Sequence, residues 1–223
     1  RGGEPLFAVP EVMKEEIDHT VNIGSFSPES LRLFPAGKRE PVIETVPHQI
    51  ITRKRMEIPT TRKGLVVADT ERDILKLAVV ERHRASGNVG LGMVRGFGLK
   101  RGALASSVAH DSHNLISVGA SDEDMYCAIK EVERLEGGLV VACGGSVMAS
   151  LALPVAGLLS SEHPRRVAEE IEALQKMAIE MGSGLADPFA ALSFLALPVI
   201  PEIRLTDLGM VDVNEFRLIE RGE

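Results

Sequence analysis

Apolar and polar positions follow two rhythms along this chain. Where apolar residues recur every three or four positions the pattern predicts helices, and short apolar or alternating runs between turn residues predict strands. The helices fall at 70–84, 122–136 and 164–181. The strands fall at 65–68, 89–97, 104–109, 115–119, 139–143 and 147–152. In the first helix Asp69 or Thr70 would be the cap, and Ile74, Leu77, Ala78 and Val80 approximate helical spacing. The second is the clearest. Ser121 precedes three acids, Met125, Ala128, Ile129, Val132 and Leu135 share a face, and Gly137-Gly138 supplies the stop. The third carries Val167, Ile171, Leu174, Ala178 and Met181 and stops at Gly182. Gly144-Gly145 reads as a hairpin turn between 139–143 and 147–152. Asp187-Pro188 opens a short apolar helix, "PVIPEIRLT" is extended, and "VDVNEFRLI" is a last short strand.

Residues 1–62 have a different texture. They hold seven of the twelve prolines, which excludes long helices. Extended pieces are expected at "PLFAVP" and through Val42–Thr52, and Ser27-Pro28 starts a helical turn at most. This stretch resembles strands that complete a sheet begun elsewhere. The fold class expected is α+β, a mixed and largely antiparallel sheet with helices packed on its faces. A proline-rich β segment over 1–62 would precede the α+β domain at 63–223.

Composition narrows the functional classes. With 44% hydrophobic and 26% charged residues, the 223-residue chain can bury a sizeable core. A net charge of −7 with scattered cations gives no electrostatic reason to expect nucleic acid or an anionic membrane. There is no Trp and one Tyr, so no platform for stacking bases. Cys127 and Cys143 form no CxxC and read as two core thiols in a reducing, cytoplasmic setting. No run of about 18 apolar residues predicts a membrane span. No signal peptide is expected at the start, and the opening Arg-Gly-Gly suggests a piece of something longer, or a processed chain.

Candidate chemistry concentrates in "VAHDSHNLISVG". His110, Asp111 and His113 are flanked by Ser112 and Asn114, between two strand-like runs. The two histidines converge only if the chain bends at Asp111-Ser112. A polar turn bonding its own backbone, a proton-handling site and a metal site are all open readings, although zinc-type sites use paired ligands and no second pair is present. "GNVGLGMVRGFG" breaks the dinucleotide-binding register. Its Gly90, Gly92 and Gly96 either let strands pack closely or form a loop over a ligand. "ERHRASGN" reads as a solvated helix end, with a ligand or subunit contact as the alternative. His19, His48 and His163 stand alone as surface or capping residues. There is no GxSxG, HExxH, P-loop or kinase signature.

The string "VADTERDILKLAVVERHRASGNVGLGMVRGFGLKRGALASSVAHDSHNLISVGASDEDM", with the later "LPVAGLLS" and "DPFAALSFLALPVIPEIRLTDLGMVDV", closely resembles the C-terminal region of bacterial and archaeal adenine deaminases. The likeness extends over nearly the whole chain and is weaker before Gln49. It implies a metal-dependent hydrolase of the amidohydrolase superfamily, converting adenine and water to hypoxanthine and ammonia in purine salvage. Apolar strings such as "LSFLALPVI" suggest a buried core or a subunit contact, so a homo-oligomer is expected. The resemblance also implies a small β-domain, a (β/α)₈ barrel holding manganese or iron, and an added C-terminal domain. Residues 1–62 would then return from the barrel to the β-domain. No His-x-His occurs here, so no metal ligand or catalytic residue is assigned to this chain, which alone should be inactive. His110, Asp111, Ser112, His113 and Asn114 would reach the mouth of the barrel site. The alternatives are a purely structural and oligomerising domain, or a purine-like small-molecule binding domain of a non-deaminase parent.

Overall fold

The computed structural model describes residues 19–219. The extended piece expected at "PLFAVP" lies outside them. After a 3₁₀ turn at Pro28–Leu31 the strands are β1 (Glu40–Thr45), β2 (Thr52–Glu57), β3 (Thr61–Arg62), β4 (Leu65–Val66), β5 (Ile74–Val80), β6 (Val89–Arg95), β7 (Ala103–Ser106) and β8 (Leu115–Gly119). Then come α1 (Asp122–Arg134), β9 (Gly138–Cys143), β10 (Ser146–Ala152), α2 (Pro164–Glu180), α3 (Pro188–Phe194), β11 (Ile203–Thr206), β12 (Gly209–Asp212) and β13 (Arg217–Leu218).

Eight strands form one sheet in the order β10-β9-β7-β8-β5-β6-β1-β2. Its pairings are antiparallel except β1 beside β6, which run parallel. The expected α+β class, with helices on the sheet's faces, is what the structure has. Strands β1 and β2 belong to the segment read above as a separate unit, yet they form one edge of this same sheet.

The expected helix at 70–84 is a correction. Thr70–Asp73 form a turn, and Ile74–Val80 is the buried strand β5. Leu75, Leu77 and Val79 point to the core shared with α2, α3 and β11, while Ala78 and Val80 point to the core shared with α1. A strand covered on both faces reads as one unbroken apolar run, and its spacing then mimics a helix. Lys76 is also buried; its Nζ donates to the Leu31 carbonyl at 3.0 Å and to Asp122 at 2.6 Å.

The helices at 122–136 and 164–181 form within a residue or two of their expected ends. Ser121 caps α1 by accepting from the Asp124 N–H at 3.2 Å, and Asp187 caps α3 by accepting from the Ala190 N–H at 2.9 Å. The expected strand at 104–109 ends at Ser106, and the strand expected at "VDVNEFRLI" is split by a turn at 213–216 into the end of β12 and the short β13. The small sheet β11-β12-β13 packs over β6. Gly90 and Gly92 make that possible, because a Cβ on Gly90 would collide with the Thr206 carbonyl and one on Gly92 with Met210.

Candidate functional site

The "AHDSHN" segment is the turn between β7 and β8. Its tip, Asp111 and Ser112, is exposed, while Asn114 is buried. The His113 N–H donates to the Ala109 carbonyl at 2.6 Å, and His113 has a left-handed φ of 51°. This bend brings the two histidines together, with ring centroids 5.6 Å apart and nearly perpendicular planes. His110 also lies against Phe194 of α3 at 4.8 Å, and its N–H donates to the Ser193 carbonyl at 2.9 Å. Asn114 reaches Asp207 through Nδ2 at 3.1 Å.

The brace for this turn is Arg82. It is 1% exposed, its Nε donates to the His113 carbonyl, and its backbone N–H donates to Asn114 Oδ1 at 3.4 Å. Nη1 donates to the Thr20 carbonyl and hydroxyl, both at 3.2 Å, and Nη2 to the Ala156 carbonyl at 3.1 Å. His83 adds a 2.7 Å bond from Nε2 to the Ser112 carbonyl. The solvated helix end expected at Glu81–Arg84 is therefore a correction. Glu81 and Arg82 are buried, and Glu81 organises the loop that follows. Burial pushes the Glu81 carboxyl upward. Backbone N–H groups of Ser86, His83 and Arg84, with the Ser86 hydroxyl, outweigh it and bring the pKa down to about 2. Nothing in the bare pattern E-R-H-R separates these buried charges from a solvated run.

Among the described residues, His113 Nδ1 is buried without a hydrogen-bond partner. Burial is the largest cause holding the His113 pKa below the ordinary imidazole value; His110, Arg82 and His83 add to it, and Asp111 opposes them. The ring is therefore held toward its neutral form. Among the described residues no group of three or more His, Cys, Asp or Glu side chains converges as metal ligands would. The turn thus offers a neutral imidazole, a neighbouring imidazole and an exposed carboxylate, a set suited to moving or orienting protons.

A second feature lies at the other end of β5. It is a cleft of about 530 Å³ between the Thr45–Thr52 loop, Asp73, Gly96–Gly98, Gly184–Asp187 and α3. Of the three glycines read as a possible ligand loop, Gly96 lines this cleft, while Gly90 and Gly92 lie within β6 under the small sheet. None of His110–Asn114 lines it, but Phe194 does, so one ring touches both features. His48 is on the cleft rim, His163 is the N-cap residue of α2, and His19 pairs with Glu136 at 3.2 Å. Cys127 and Cys143 are both free and half-buried. Sequence reasoning missed Arg204, which is wholly buried in the cleft wall. A single arginine in "PEIRLT" carries no spacing signal that would have found it.

Sheet, flanking helices and packed hairpin together define a mixed, largely antiparallel α+β domain. The family model for the adenine deaminase C-terminal domain matches residues 49–217, and the chain belongs to that family. It is 50% identical over 217 residues to an adenine deaminase of Dehalococcoides mccartyi, covering 97% of this chain and 38% of that protein. It is 47% identical over 219 residues to adenine deaminase 2 of Carboxydothermus hydrogenoformans, again covering 97% of this chain and 38% of the relative. Over 188 residues it is 54% identical to an adenine deaminase of Methanothrix thermoacetophila, covering 84% of this chain and 33% of the relative. The chain thus spans 38% of the length of the first two curated relatives.

Proposed function

We propose that this chain is the C-terminal part of a cytoplasmic, homo-oligomeric adenine deaminase, hydrolysing adenine to hypoxanthine and ammonia in purine salvage and adenine catabolism. The reading is carried by 50% identity over 97% of the chain to a protein of that name. The divalent metal, manganese or iron, would be held by a barrel domain outside these residues and would sharpen the attacking water. The described residues of this chain do not fit that metal, because their His and carboxylate groups do not gather in threes.

The proposed contribution of this chain is the β7–β8 turn. His113, held toward its neutral form by burial and with Nδ1 unpartnered among the described residues, is suited to accept or relay a proton at the mouth of the barrel site. His110 and Asp111 would adjust that ring, Ser112 and Asn114 would hold the bend, and Arg82 would fix the backbone beneath it. Residues 1–62 would carry the connection toward the rest of the parent.

The test is ammonia release from adenine by a metal-replete parent protein carrying His113→Ala or Asp111→Ala. Loss of roughly a hundredfold in kcat with unchanged metal content is expected for a proton-handling role. Wild-type activity in both variants would remove it and leave a structural role for the turn.

A further inference from the structure

The end of the sheet that carries the histidine turn is built as a fixed surface. Strands β5, β7 and β10 finish there, and β6, β8 and β9 start there. Three acidic or basic side chains tie its loops together. Arg82 joins the histidine turn to the loop at 155–159 through the His113 and Ala156 carbonyls. Glu81 accepts from the backbone N–H groups of His83, Arg84 and Ser86 and so sets the β5–β6 loop. Asp207, in the β11–β12 turn, accepts from Asn88 at 3.4 Å and from Asn114 at 3.1 Å. The Ser107 hydroxyl adds a bond to the Gly157 carbonyl at 2.6 Å. Burying Arg82 and Glu81 is costly in desolvation, and what the two supply here is one set geometry for the loops.

Two large apolar side chains on these loops face solvent. Leu208, next to Asp207, is 67% exposed, and Leu159, at the end of the 155–159 loop, is 63% exposed. Single exposed leucines are ordinary on a protein surface. These two sit on turns already held by polar bonds, so a partner would meet them ordered and the entropy lost on docking would be small. The sheet order places the histidine turn between them, since β7 and β8 lie between β10 and β6. The first described residues are fastened here as well. Arg82 Nη1 holds the Thr20 carbonyl and hydroxyl, the Asn22 N–H donates to the Arg82 carbonyl at 2.6 Å, and the Ala85 N–H donates to the Asn22 carbonyl at 3.0 Å. Polypeptide ahead of residue 19 is thus tethered at this end, which raises its effective concentration over this surface. We propose that this end of the sheet docks the preceding part of the parent polypeptide, with Leu208 and Leu159 seated in apolar recesses of that part on either side of the histidine turn. The proposal rests on reading this chain as the C-terminal part of a longer deaminase, of which it would span 38% as it does of its relatives.

The test is thiol labelling of the native parent protein carrying Leu208→Cys or Leu159→Cys, with Ile50→Cys on the rim of the α3 cleft as a third variant. All three side chains are exposed in this chain, so its fold does not depend on them. Labelling is counted above that of the unsubstituted parent, whose Cys127 and Cys143 are half-buried, and is compared with the same variant in denaturant. Thiols at positions 208 and 159 should react at least about tenfold more slowly in the native parent than in denaturant, as expected of groups reached only through local opening. The slowing should persist when the protein is diluted to single subunits. A thiol that stays open at 208 or 159 overturns the proposal, and protection at position 50 in its place puts the docking face at the cleft end instead. Protection at 208 and 159 that disappears in single subunits belongs to a second copy and overturns it too. Ammonia release by the same proteins is scored separately: protection without hydrolysis keeps this face and removes the deaminase reading, and hydrolysis with open thiols does the reverse.

Discussion

At the scale of single residues, two buried charges, Arg82 and Glu81, and the part-buried His113 shape the loops around the β7–β8 turn. Arg82 donates to four oxygens, of His113, Thr20 and Ala156, and among the described residues none of its bonds goes to a carboxylate. Truncating it leaves those carbonyls unmatched and opens a cavity. Arg82→Ala should therefore cost roughly 3 kcal/mol or more, read by urea denaturation. Glu81 has a pKa near 2 in the fold, against an unfolded value of 4.5. A depressed carboxylate stabilises above its unfolded pKa and loses that contribution as pH falls from 4.5 toward 2. The difference corresponds to about 3 kcal/mol, and Glu81→Gln should flatten this part of the stability–pH curve. His113 behaves in the opposite chemical sense but with the same slope. Its folded pKa lies below the usual 6.5, so the unfolded chain takes up the proton first. Stability should fall as pH drops below about 6.5, and His113→Gln should lessen that loss. The histidine cluster was legible as a cluster, because residue type alone marks it. Its supports were not, since Arg82 and Glu81 sit in a charged tetrapeptide whose burial only the tertiary fold decides.

At the scale of elements, legibility followed how many faces each one buries. Helices α1 and α2 have one apolar stripe each, and capping residues mark their starts, so their periods stood out. Strands β8, β9 and β10 were bounded by turn glycines and polar loops. Strand β5 was misread because both of its faces are apolar and a turn at Thr70–Asp73 imitates a cap. The packing of β11 and β12 onto β6 could not be read from pattern at all, since it depends on the absence of two side chains 116 and 118 positions upstream of Thr206 and Met210. That dependence is testable. Gly90→Ala drives a methyl group into the Thr206 carbonyl and should destabilise the chain by about 1–3 kcal/mol. The same substitution at Gly64, where a Cβ meets nothing within 4 Å, should not produce that collision, although its φ of 78° carries its own strain.

At the scale of the whole molecule, two chemical regions lie at opposite ends of strand β5 in the eight-stranded sheet. The histidine turn lies where β5 ends and β8 begins, and the cleft lies where β5 begins and β6 ends. Phe194 links them through α3. This arrangement suits a domain that presents surfaces to a catalytic partner. The central claim is that hydrolysis belongs to the parent and that this chain contributes to it without housing the reacting metal. The most direct measurement is the rate of ammonia release from adenine, with manganese or iron supplied, by the parent protein and by the isolated 223-residue chain. The account predicts turnover by the parent and none above the uncatalysed background by the isolated chain. Enzymatic turnover by the isolated chain, or a metal-replete parent that leaves adenine intact, would contradict it.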